Sequence, residues 1–344
     1  MNAETKKRNV IIDCDPGIDD CLALMLALKS PELNILGITT VCGNVPASLG
    51  AKNALKILKR CGRLDIPVYV GEEKPLQREY ISAQDTHGED GLGDSGIPEV
   101  TETVPFYGAV DFLNRTLAEA EKVSVIALGP LTNIALALKK NPESWTYAEA
   151  FVSMGGSFKS FGNCSPVAEY NYWCDPHAAS YVYRHLPVKI QMIGLDVTRK
   201  IVLRPDILEY ISQICPEEGE YLRKITRFYF DFHWAQEQVL GCVINDPLAV
   251  AYFIDPSLCQ GRDMYTDIVT EGIALGQSVC DEMGIWKKEP NSHVLLKTDS
   301  VRFMKLFLER IAGAKEPQLS GILKQLYPGE TLTGDLSERK GGVG

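Results

Sequence analysis

Four carboxylate side chains lie within eight consecutive residues near the start of the chain. Residues 13–20 read DCDPGIDD, so Asp13, Asp15, Asp19 and Asp20 surround a Pro-Gly turn. If this turn folds the chain back, Asp15 and Asp20 converge on one point. Crowded carboxylates repel one another, and their pKa values rise unless a cation compensates the charge. Oxygen-only ligands suit Ca²⁺ or Mg²⁺ better than Zn²⁺, so the pattern predicts a site for a hard cation.

A simpler interpretation of these aspartates is helix capping. Asp is common in turns, and at a helix N-terminus it caps the backbone and is favoured by the helix dipole. A single Asp in such a place would be a cap more often than a ligand. Four of them between an apolar strand and an apolar helix favour a functional site, because open α/β sheets bind ligands at the carboxyl ends of their strands.

Apolar segments of two kinds alternate along the chain and must position this cluster. Short β-branched runs predict strands at residues 9–12, 34–41, 66–70, 123–128, 151–154 and 188–193. Helices are predicted at residues 20–28, 47–59 and 131–139. The alternation predicts an α/β fold with an open, mostly parallel, Rossmann-like sheet and helices on both faces. Residues 205–240 predict additional helices towards the C-terminus.

Two segments differ from this alternation. Residues 84–97 (QDTHGEDGLGDSGI) are rich in Gly and Asp and predict a long loop, of the kind that often carries function. Residues 328–344 form a polar, Gly-rich tail that is expected to be poorly ordered. No internal repeat or low-complexity linker divides the remainder, so residues 1–327 are predicted to form a single domain.

The composition is that of an ordinary globular protein and excludes several classes. The chain has 344 residues, of which 45% are hydrophobic, which is enough for a full core. A formal net charge of −10 argues against nucleic acid as a partner. No apolar run is long enough to cross a membrane. The cysteines form no C-x-x-C pair and no secretory signal precedes the first strand, which predicts a cytoplasmic protein.

The acidic cluster is the first of several motifs that occur in a familiar order. It closely resembles the D-x-D-P-G-x-D-D signature of nucleoside hydrolases, the inosine-uridine preferring N-ribohydrolases. Later segments also resemble this family, in its order, and are TTVCGNV (39–45), DTHGEDGLG (85–93), LGPLTNIA (128–135), MGG (154–156), GN (162–163), AEYN (168–171), CDP (174–176), GLDVT (194–198) and NDPLA (245–249). Several motifs in one order are far more specific than any one of them.

This resemblance implies a metal site and a reaction. On this sequence the family pattern places Ca²⁺ between Asp15, Asp20, the backbone carbonyl of Leu128 and Asp246, with water and two ribose hydroxyls completing the shell. Ca²⁺ accepts such a shell and lowers the pKa of a bound water, so Asp15 would take a proton as the water attacks the anomeric carbon. The implied reaction is hydrolysis of the N-glycosidic bond of ribonucleosides to free base and ribose, with inversion.

The resemblance also implies a polar clamp for the ribose. Asp19 and Asn44 would reach the 2′ and 3′ hydroxyls, and Asn163, Glu169 and Asn171 would hold the 3′ and 5′ side of the sugar. Each Asn alone would more often be a turn or cap residue, and Glu169 alone could be a solvated surface charge. A site that pairs with hydroxyl groups rejects analogues that lack them, so 2′-deoxyribosides should be poor substrates.

The residue before the late Asp departs from the family pattern. Many members have His there, which helps to protonate the departing base, and this chain has Asn245. Asn donates a hydrogen bond but cannot deliver a net proton. Two substitutes are considered. His87 either closes over the site with the Gly-rich loop or is an exposed loop imidazole, and His233 is expected to be a partly buried structural side chain.

Other notable side chains receive no catalytic role. Tyr229, Phe232 and Trp234 could stack on a base, but aromatic residues in a helix more often belong to the core. His177 is expected in the first turn of a helix. Arg199 occupies a position where many family members have His, and no role is assigned to it.

Two other function classes remain open. The pair Asp13 and Asp15 after a strand also resembles the D-x-D of haloacid-dehalogenase-like phosphohydrolases, but that family needs Thr or Val where this chain has Gly17. A ribose- or nucleoside-binding homologue with weak catalysis is supported only by Asn245. The resemblance further implies a homo-oligomer, either a dimer or a tetramer, and a role in nucleoside salvage.

Overall fold

A twelve-strand framework organises the protein in a computed structural model, which describes residues 7–328. The strands are β1 (Arg8–Cys14), β2 (Leu33–Thr40), β3 (Val68–Val70), β4 (Phe106–Tyr107), β5 (Val123–Ala127), β6 (Phe151–Met154), β7 (Ile190–Ile193), β8 (Val202–Leu203), β9 (Cys242–Val243), β10 (Cys259–Ile268), β11 (Ser278–Asp281) and β12 (Ser292–Thr298). Ten of them form one sheet in the order β11-β10-β12-β7-β6-β5-β1-β2-β3-β4, and β8 pairs with β9 separately.

The large sheet is parallel except at one end. All neighbours from β7 to β4 are parallel, and β12 also runs parallel to β7. Strand β10 is antiparallel to both β12 and β11. At the carboxyl end of β1, Asp13 pairs with Thr39 of β2 and Ala127 of β5. The acidic segment therefore leaves the sheet between two parallel neighbours.

Helices cover the sheet and connect its strands. They are α1 (Ile18–Leu28), α2 (Ala47–Arg60), α3 (Gln84–His87), α4 (Ala109–Glu119), α5 (Thr132–Lys140), α6 (Tyr170–Cys174), α7 (Pro176–His185), α8 (Leu195–Thr198), α9 (Pro205–Ile214), α10 (Pro216–Glu237), α11 (Asp246–Ile254), α12 (Ser300–Ala312) and α13 (Gln318–Leu326). Two short 3₁₀ helices span Ser144–Tyr147 and Pro256–Leu258.

Two apolar cores lie on opposite faces of the sheet. Val10 and Ile12 of β1 belong to one core and Ile11 belongs to the other, because successive side chains of a strand point to opposite faces. Helix α1 is buried from Ile18 to Ala27, as expected for a helix that is apolar on nearly all sides. Within residues 7–328, no helix is both long and apolar enough to span a membrane.

The predicted fold class is confirmed, with differences in detail. The mostly parallel sheet, the helices on both faces and the additional helices within residues 205–240, which are α9 and α10, are present. The antiparallel strands β10 and β11 were not predicted. Residues 84–97 are not entirely loop because they contain α3, and residues 205–240 form two helices separated at Cys215. The predicted tail lies outside the described residues except for Pro328, and the single domain over residues 1–327 stays a prediction.

Candidate active site

A cavity of about 560 Å³ opens at the carboxyl ends of the central strands, within the size range of small-molecule sites. It lies where the topology predicts a ligand crevice. Nine of the site residues predicted from the sequence line it, and they are Asp19, Asn44, His87, Leu128, Asn163, Glu169, Asn171, Asn245 and Asp246. Asp15 and Asp20 are fully buried and are connected to this lining by hydrogen bonds.

The turn after β1 is shaped by the side chain of Asp20. Its Oδ1 accepts the backbone N–H of Asp15 at 3.1 Å, and its Oδ2 accepts the backbone N–H of Gly17 at 3.1 Å. The second contact is the capping-box arrangement at the start of α1. Oδ2 of Asp20 also accepts the side-chain amide of Asn44 at 2.9 Å. The capping interpretation is thus correct for Asp20, and it does not exclude a ligand role.

Asp15 has one satisfied oxygen and one without a partner. Oδ2 accepts the backbone N–H of Asn44 at 2.7 Å. Oδ1 is buried and has no hydrogen-bond partner in the part of the chain that is described. Glycines enclose the carboxylate closely, since a Cβ on Gly43 or Gly129 would lie 1.9 or 2.4 Å from its oxygens. An unpartnered buried carboxylate oxygen is costly, and a cation or a hydrogen-bond donor would satisfy it.

Burial and mutual repulsion raise the pKa values of the carboxyl groups in the acidic cluster. Burial, followed by the charge of Asp20, raises the pKa of Asp15 well above its usual range. Burial and the charge of Asp19 raise the pKa of Asp20 to about 6. The pKa of Asp246 is also raised, first by burial and then by Asp19 and Asp20. A cation in this place would relieve the repulsion.

One group of three carboxylates that could hold a metal ion differs from the predicted set of ligands. Ligand atoms of Asp19, Asp20 and Asp246 lie within 4.8 Å of one another, and all three residues are buried. Asp15 lies outside this group of three, and Asp19, which was expected to bind ribose, lies inside it. The donors are all oxygen atoms, which fits Ca²⁺ or Mg²⁺. The residues present therefore fit a hard divalent cation.

The side of the cavity expected to hold the sugar is built on the start of α6. Glu169 caps this helix and accepts backbone N–H groups of Gly156 and Asn171, each at 2.8 Å, and of Tyr172 at 3.2 Å. Burial raises the pKa of Glu169 to about 7, although these hydrogen bonds lower it. The amide of Asn171 donates to the carbonyl of Leu128 at 2.6 Å. Asn171 therefore contacts both the carboxylate of Glu169 and the carbonyl of Leu128.

Asn163 and Asn44 differ in how deeply they are buried. Asn163 is exposed, and its Oδ1 accepts the backbone N–H of Tyr170 at 2.9 Å. Asn44 is 8% exposed and contacts both Asp15 and Asp20. The structure thus brings both amides to the cavity, each with part of its hydrogen-bonding capacity already used.

Asn245 faces Asp19 at the far wall. Its backbone N–H and its side-chain amide both donate to Oδ2 of Asp19 at 3.2 Å. Tyr229 donates to the same oxygen at 3.4 Å. The Oδ1 atom of Asn245 is buried without a partner in the described chain. Asn245 therefore orients Asp19, and it has no proton to transfer.

His87 is buried rather than exposed. It ends α3, is 4% exposed, and its Nδ1 accepts the backbone N–H of Ile18 at 3.0 Å. Burial lowers the pKa of His87 to about 4. The ring centroid of Tyr229 lies 5.0 Å from that of His87 and 4.4 Å from that of His233. Of the two alternatives for His87, the exposed loop imidazole is wrong, because the ring packs against the start of α1.

Helix α10 supplies lining residues that the sequence reasoning assigned to the core or left without a role. Tyr229, His233 and Glu237 all line the cavity. Arg199 also lines it, donating to Glu237 at 3.0 Å with its guanidinium 3.9 Å from the ring centroid of Phe161. The spacing i, i+4, i+8 of the three α10 residues places them on one helix face, and this signal was available from the sequence. His177 lies in the first turn of α7, as expected.

Comparison with known proteins is consistent with this geometry. A model of the inosine-uridine preferring nucleoside hydrolase family matches residues 10–305. The pyrimidine-specific ribonucleoside hydrolase RihA of a Shewanella species is 36% identical over 308 residues, covering 89% of this chain and 96% of the relative. RihA of Photobacterium profundum is 38% identical over 312 residues, covering 89% and 99%.

Solved structures agree with the sequence relatives. A plant nucleoside hydrolase, PpNRh1, has a TM-score of 0.84 and 31% identity, with 89% of this chain and 99% of that chain covered. The purine-preferring ribonucleoside hydrolase from Gardnerella vaginalis has a TM-score of 0.84 and 32% identity, with 92% and 100% covered. The chain therefore belongs to the inosine-uridine preferring nucleoside hydrolase family and is a hydrolase that acts on N-glycosyl bonds.

Proposed function

We propose that this protein is a Ca²⁺-dependent N-ribohydrolase that converts a ribonucleoside and water into free base and ribose. The observation that carries the proposal is the unpartnered Oδ1 of Asp15 beneath a cavity lined by buried carboxylates and amides. Family membership supports the reaction class. The names of the RihA relatives favour pyrimidine ribonucleosides as the first substrates to test.

The proposed metal ligands are Asp15, Asp20, Asp246 and the backbone carbonyl of Leu128. Their oxygen atoms match the preference of Ca²⁺, and the raised pKa values of the three carboxyl groups show how poorly the cluster is balanced without a cation. When bound, Ca²⁺ supplies positive charge that lowers the pKa of water and that attracts vicinal hydroxyl groups. Asp19 lies close enough to join this shell, and its contact with Asn245 favours instead a role beside it.

The proposed ribose clamp consists of the residues that line the same cavity. Asp19 and Asn44 would hold the 2′ and 3′ hydroxyls, and Asn163, Glu169 and Asn171 would hold the 3′ and 5′ side. Several of these groups are already oriented by backbone hydrogen bonds, so little reorganisation would accompany binding. In the proposed reaction a nucleoside held by this clamp would have its C1′ atom attacked by water that Asp15 activates.

In the proposed reaction Asp15 accepts a proton as water attacks C1′. Bond breaking to the base runs ahead of bond formation, so the sugar becomes oxocarbenium-like. The negative charges of Asp15 and Glu169 would then stabilise the developing positive charge. Because one carboxylate activates water and none is required as a nucleophile, we expect inversion at C1′.

Of the two alternative functions, the phosphohydrolase loses its support because the chain belongs to the nucleoside hydrolase family. A nucleoside-binding homologue with weak catalysis would bind ligand without releasing base. Metal-stripped wild-type protein should be assayed with uridine, inosine and p-nitrophenyl β-D-riboside, before and after Ca²⁺ is added. Release of base and ribose only after addition supports the proposal, and binding without release supports the weak homologue.

A matched pair of substitutions tests the role of Asp15. Asp15→Asn removes the proposed base, and Asp111→Asn makes the same chemical change on exposed α4, where Asp111 pairs with Lys140. We expect loss of turnover in the first variant and wild-type turnover in the second. Equal activity of both variants would contradict the assignment of Asp15.

We also propose that the enzyme works in the cytoplasm as a homo-oligomer. All ten cysteines are free, which suits a reducing compartment. Exposed apolar side chains at Ile273, Met283 and Ile285 lie in and beside the turns flanking β11, at the edge of the large sheet. Exposed apolar side chains near a sheet edge suit an interface between subunits.

A further inference from the structure

Two buried imidazoles flank the ring of Tyr229 in the wall of the cavity. His87 is 4% exposed and His233 is 6% exposed, and both line the cavity. Each has one ring nitrogen bound to backbone, and within residues 7–328 the other nitrogen of each has no protein partner. The backbone contacts differ, and this difference sets what each ring can do.

The backbone fixes the tautomer of His87. The N–H of Ile18 can only donate, so Nδ1 of His87, at 3.0 Å, must accept and carries no proton. In a neutral imidazole the proton then resides on Nε2. Ile18 is the first residue of α1, whose first N–H groups have no partner within the helix. His87 therefore supplies an acceptor that the helix needs.

A positively charged His87 would break this arrangement. A second proton would have to bind at Nδ1, where two donors would then face each other. The positive end of the α1 dipole lies at the same place and also disfavours the imidazolium form. If the neutral ring instead gave up its Nε2 proton, it would become an imidazolate. His87 can therefore donate a hydrogen bond from Nε2, and it has no proton suited to full transfer.

We propose that His87 is a catalytic residue that acts as a neutral hydrogen-bond donor to the departing base, through Nε2–H, and does not protonate it. This inference rests on the proposed function. Asn245 is also limited to hydrogen bonding, because its amide cannot deliver a proton. A neutral imidazole that stabilises developing negative charge is an established catalytic device in other enzymes.

The proposal defines the class of base that can leave. Water adds its oxygen to C1′ and gives one proton to Asp15, and the C1′–N bond breaks with its electron pair moving to the base. The base departs as an anion hydrogen-bonded to His87 and is protonated afterwards by the proton that Asp15 releases. Bases whose ring carbonyl groups stabilise an anion, as in uracil, are therefore preferred over amino bases that lack such carbonyls, as in adenine.

His233 is the competing candidate for an acid. Its Nδ1 lies 2.9 Å from the carbonyl oxygen of Tyr229, so Nδ1 is the donor in this contact and Nε2 of the neutral ring carries no proton. His233 also lines the cavity. His233 can take up a proton at Nε2 without losing its backbone hydrogen bond. The experiment must therefore separate donation by His87 from proton transfer by His233.

Two substitutions at His87 make this separation. His87→Gln retains an N–H donor that cannot titrate, and His87→Leu has no donor. With uridine we expect His87→Gln to remain within about tenfold of wild type, and His87→Leu to lose about 10²–10³-fold, the usual cost of removing such a donor. With p-nitrophenyl riboside, whose leaving group is already a stable anion, both variants should match wild type. In wild type, 5-fluorouridine should react faster than uridine, since its base is more acidic.

Other results would overturn the inference. Equal losses for His87→Gln and His87→Leu on uridine would mean that a proton must be transferred. Loss of p-nitrophenyl riboside hydrolysis in both would mean that His87 only supports the fold. Full uridine activity in both, with a large loss in His233→Leu, would move the role to His233. Failure of wild type to hydrolyse any of the three ribosides with Ca²⁺ would instead contradict the proposed function itself.

Discussion

The backbone N–H of Asn44 donates to Oδ2 of Asp15 at 2.7 Å. The carbonyl of the same peptide group, that of Gly43, accepts the phenol groups of Tyr80 at 2.8 Å and Tyr170 at 2.7 Å. Donors to the carbonyl of a peptide polarise its N–H, so the two tyrosines strengthen the contact to Asp15. This peptide holds one oxygen of the carboxylate, and Oδ1 has no hydrogen-bond partner among the described residues.

Removing the two phenols should slow the chemical step. Each hydrogen bond is worth about 1 kcal/mol net, or roughly a fivefold change in rate if all of it acts on Asp15. Tyr80→Phe and Tyr170→Phe should therefore lower kcat severalfold each and leave KM nearly unchanged. Tyr252→Phe is the control, since its phenol binds Gln191 and not Gly43. Steady-state kinetics would contradict the idea if all three variants shared one kcat.

A methyl group added beside Asp15 should be far more damaging. In Gly43→Ala or Gly129→Ala the new Cβ would meet a carboxylate oxygen at 1.9 or 2.4 Å, so Asp15 must move. A shift of about 1 Å in a catalytic group can cost roughly 10²-fold in rate. The same change at Gly321, which has nothing within 4 Å, should leave activity intact. Near-normal kcat in Gly43→Ala, with folding verified by thermal unfolding, would refute this placement of Asp15.

The buried carboxyl of Asp20 should make the stability of the metal-free protein depend on pH. Its pKa is raised from 3.8 to about 6, so the folded chain binds this proton more tightly than the unfolded chain. The resulting stabilisation is complete below about pH 4 and is lost as pH rises through about 6. Metal-free Asp20→Asn lacks this dependence. Urea unfolding from pH 4.5 to 8 should therefore show wild type losing stability relative to Asp20→Asn as pH rises, and a constant difference would contradict the burial of Asp20.

Asp246→Asn should stabilise the metal-free protein and weaken its response to Ca²⁺. The substitution removes one charge from three crowded carboxylates and also removes a proposed ligand. In wild type, each tenfold increase in Ca²⁺ above Kd should add about 1.4 kcal/mol to the free energy of unfolding. Calorimetric titration and thermal unfolding would check both effects, with Asp111→Asn as the control. An unchanged Ca²⁺ response in Asp246→Asn would remove this residue from the proposed ligands.

The sequence predicted those features that depend on local pattern. Four carboxylates after an apolar strand indicated a cation site, and the alternation of strands and helices indicated a parallel sheet. Strand β10 was not predicted because polar residues interrupt it. It lies in the antiparallel part of the sheet, where one of its faces is partly exposed. Such a strand lacks the continuous apolar run of the central strands.

The arrangement of the site depends on contacts between residues distant in sequence. The environment of His87 is set by Ile18, 69 residues away, and no local pattern reports that contact. Asp246 joins Asp19 and Asp20 only after α1 and α11 have packed together. Tyr229 was assigned to the core from its sequence context. It is indeed buried, but it also lines the cavity, and sequence alone does not separate these two cases.

The most direct test follows the first product of uridine cleavage by ¹H NMR, in Ca²⁺-loaded wild type and in Asp15→Asn. Attack by water activated at Asp15, from the side opposite the base, predicts that α-ribose and uracil appear together before mutarotation. Asp15→Asn should be slower by about 10²–10⁴-fold, the usual contribution of a general base. Initial formation of β-ribose, or an Asp15→Asn enzyme as fast as wild type, would contradict the account.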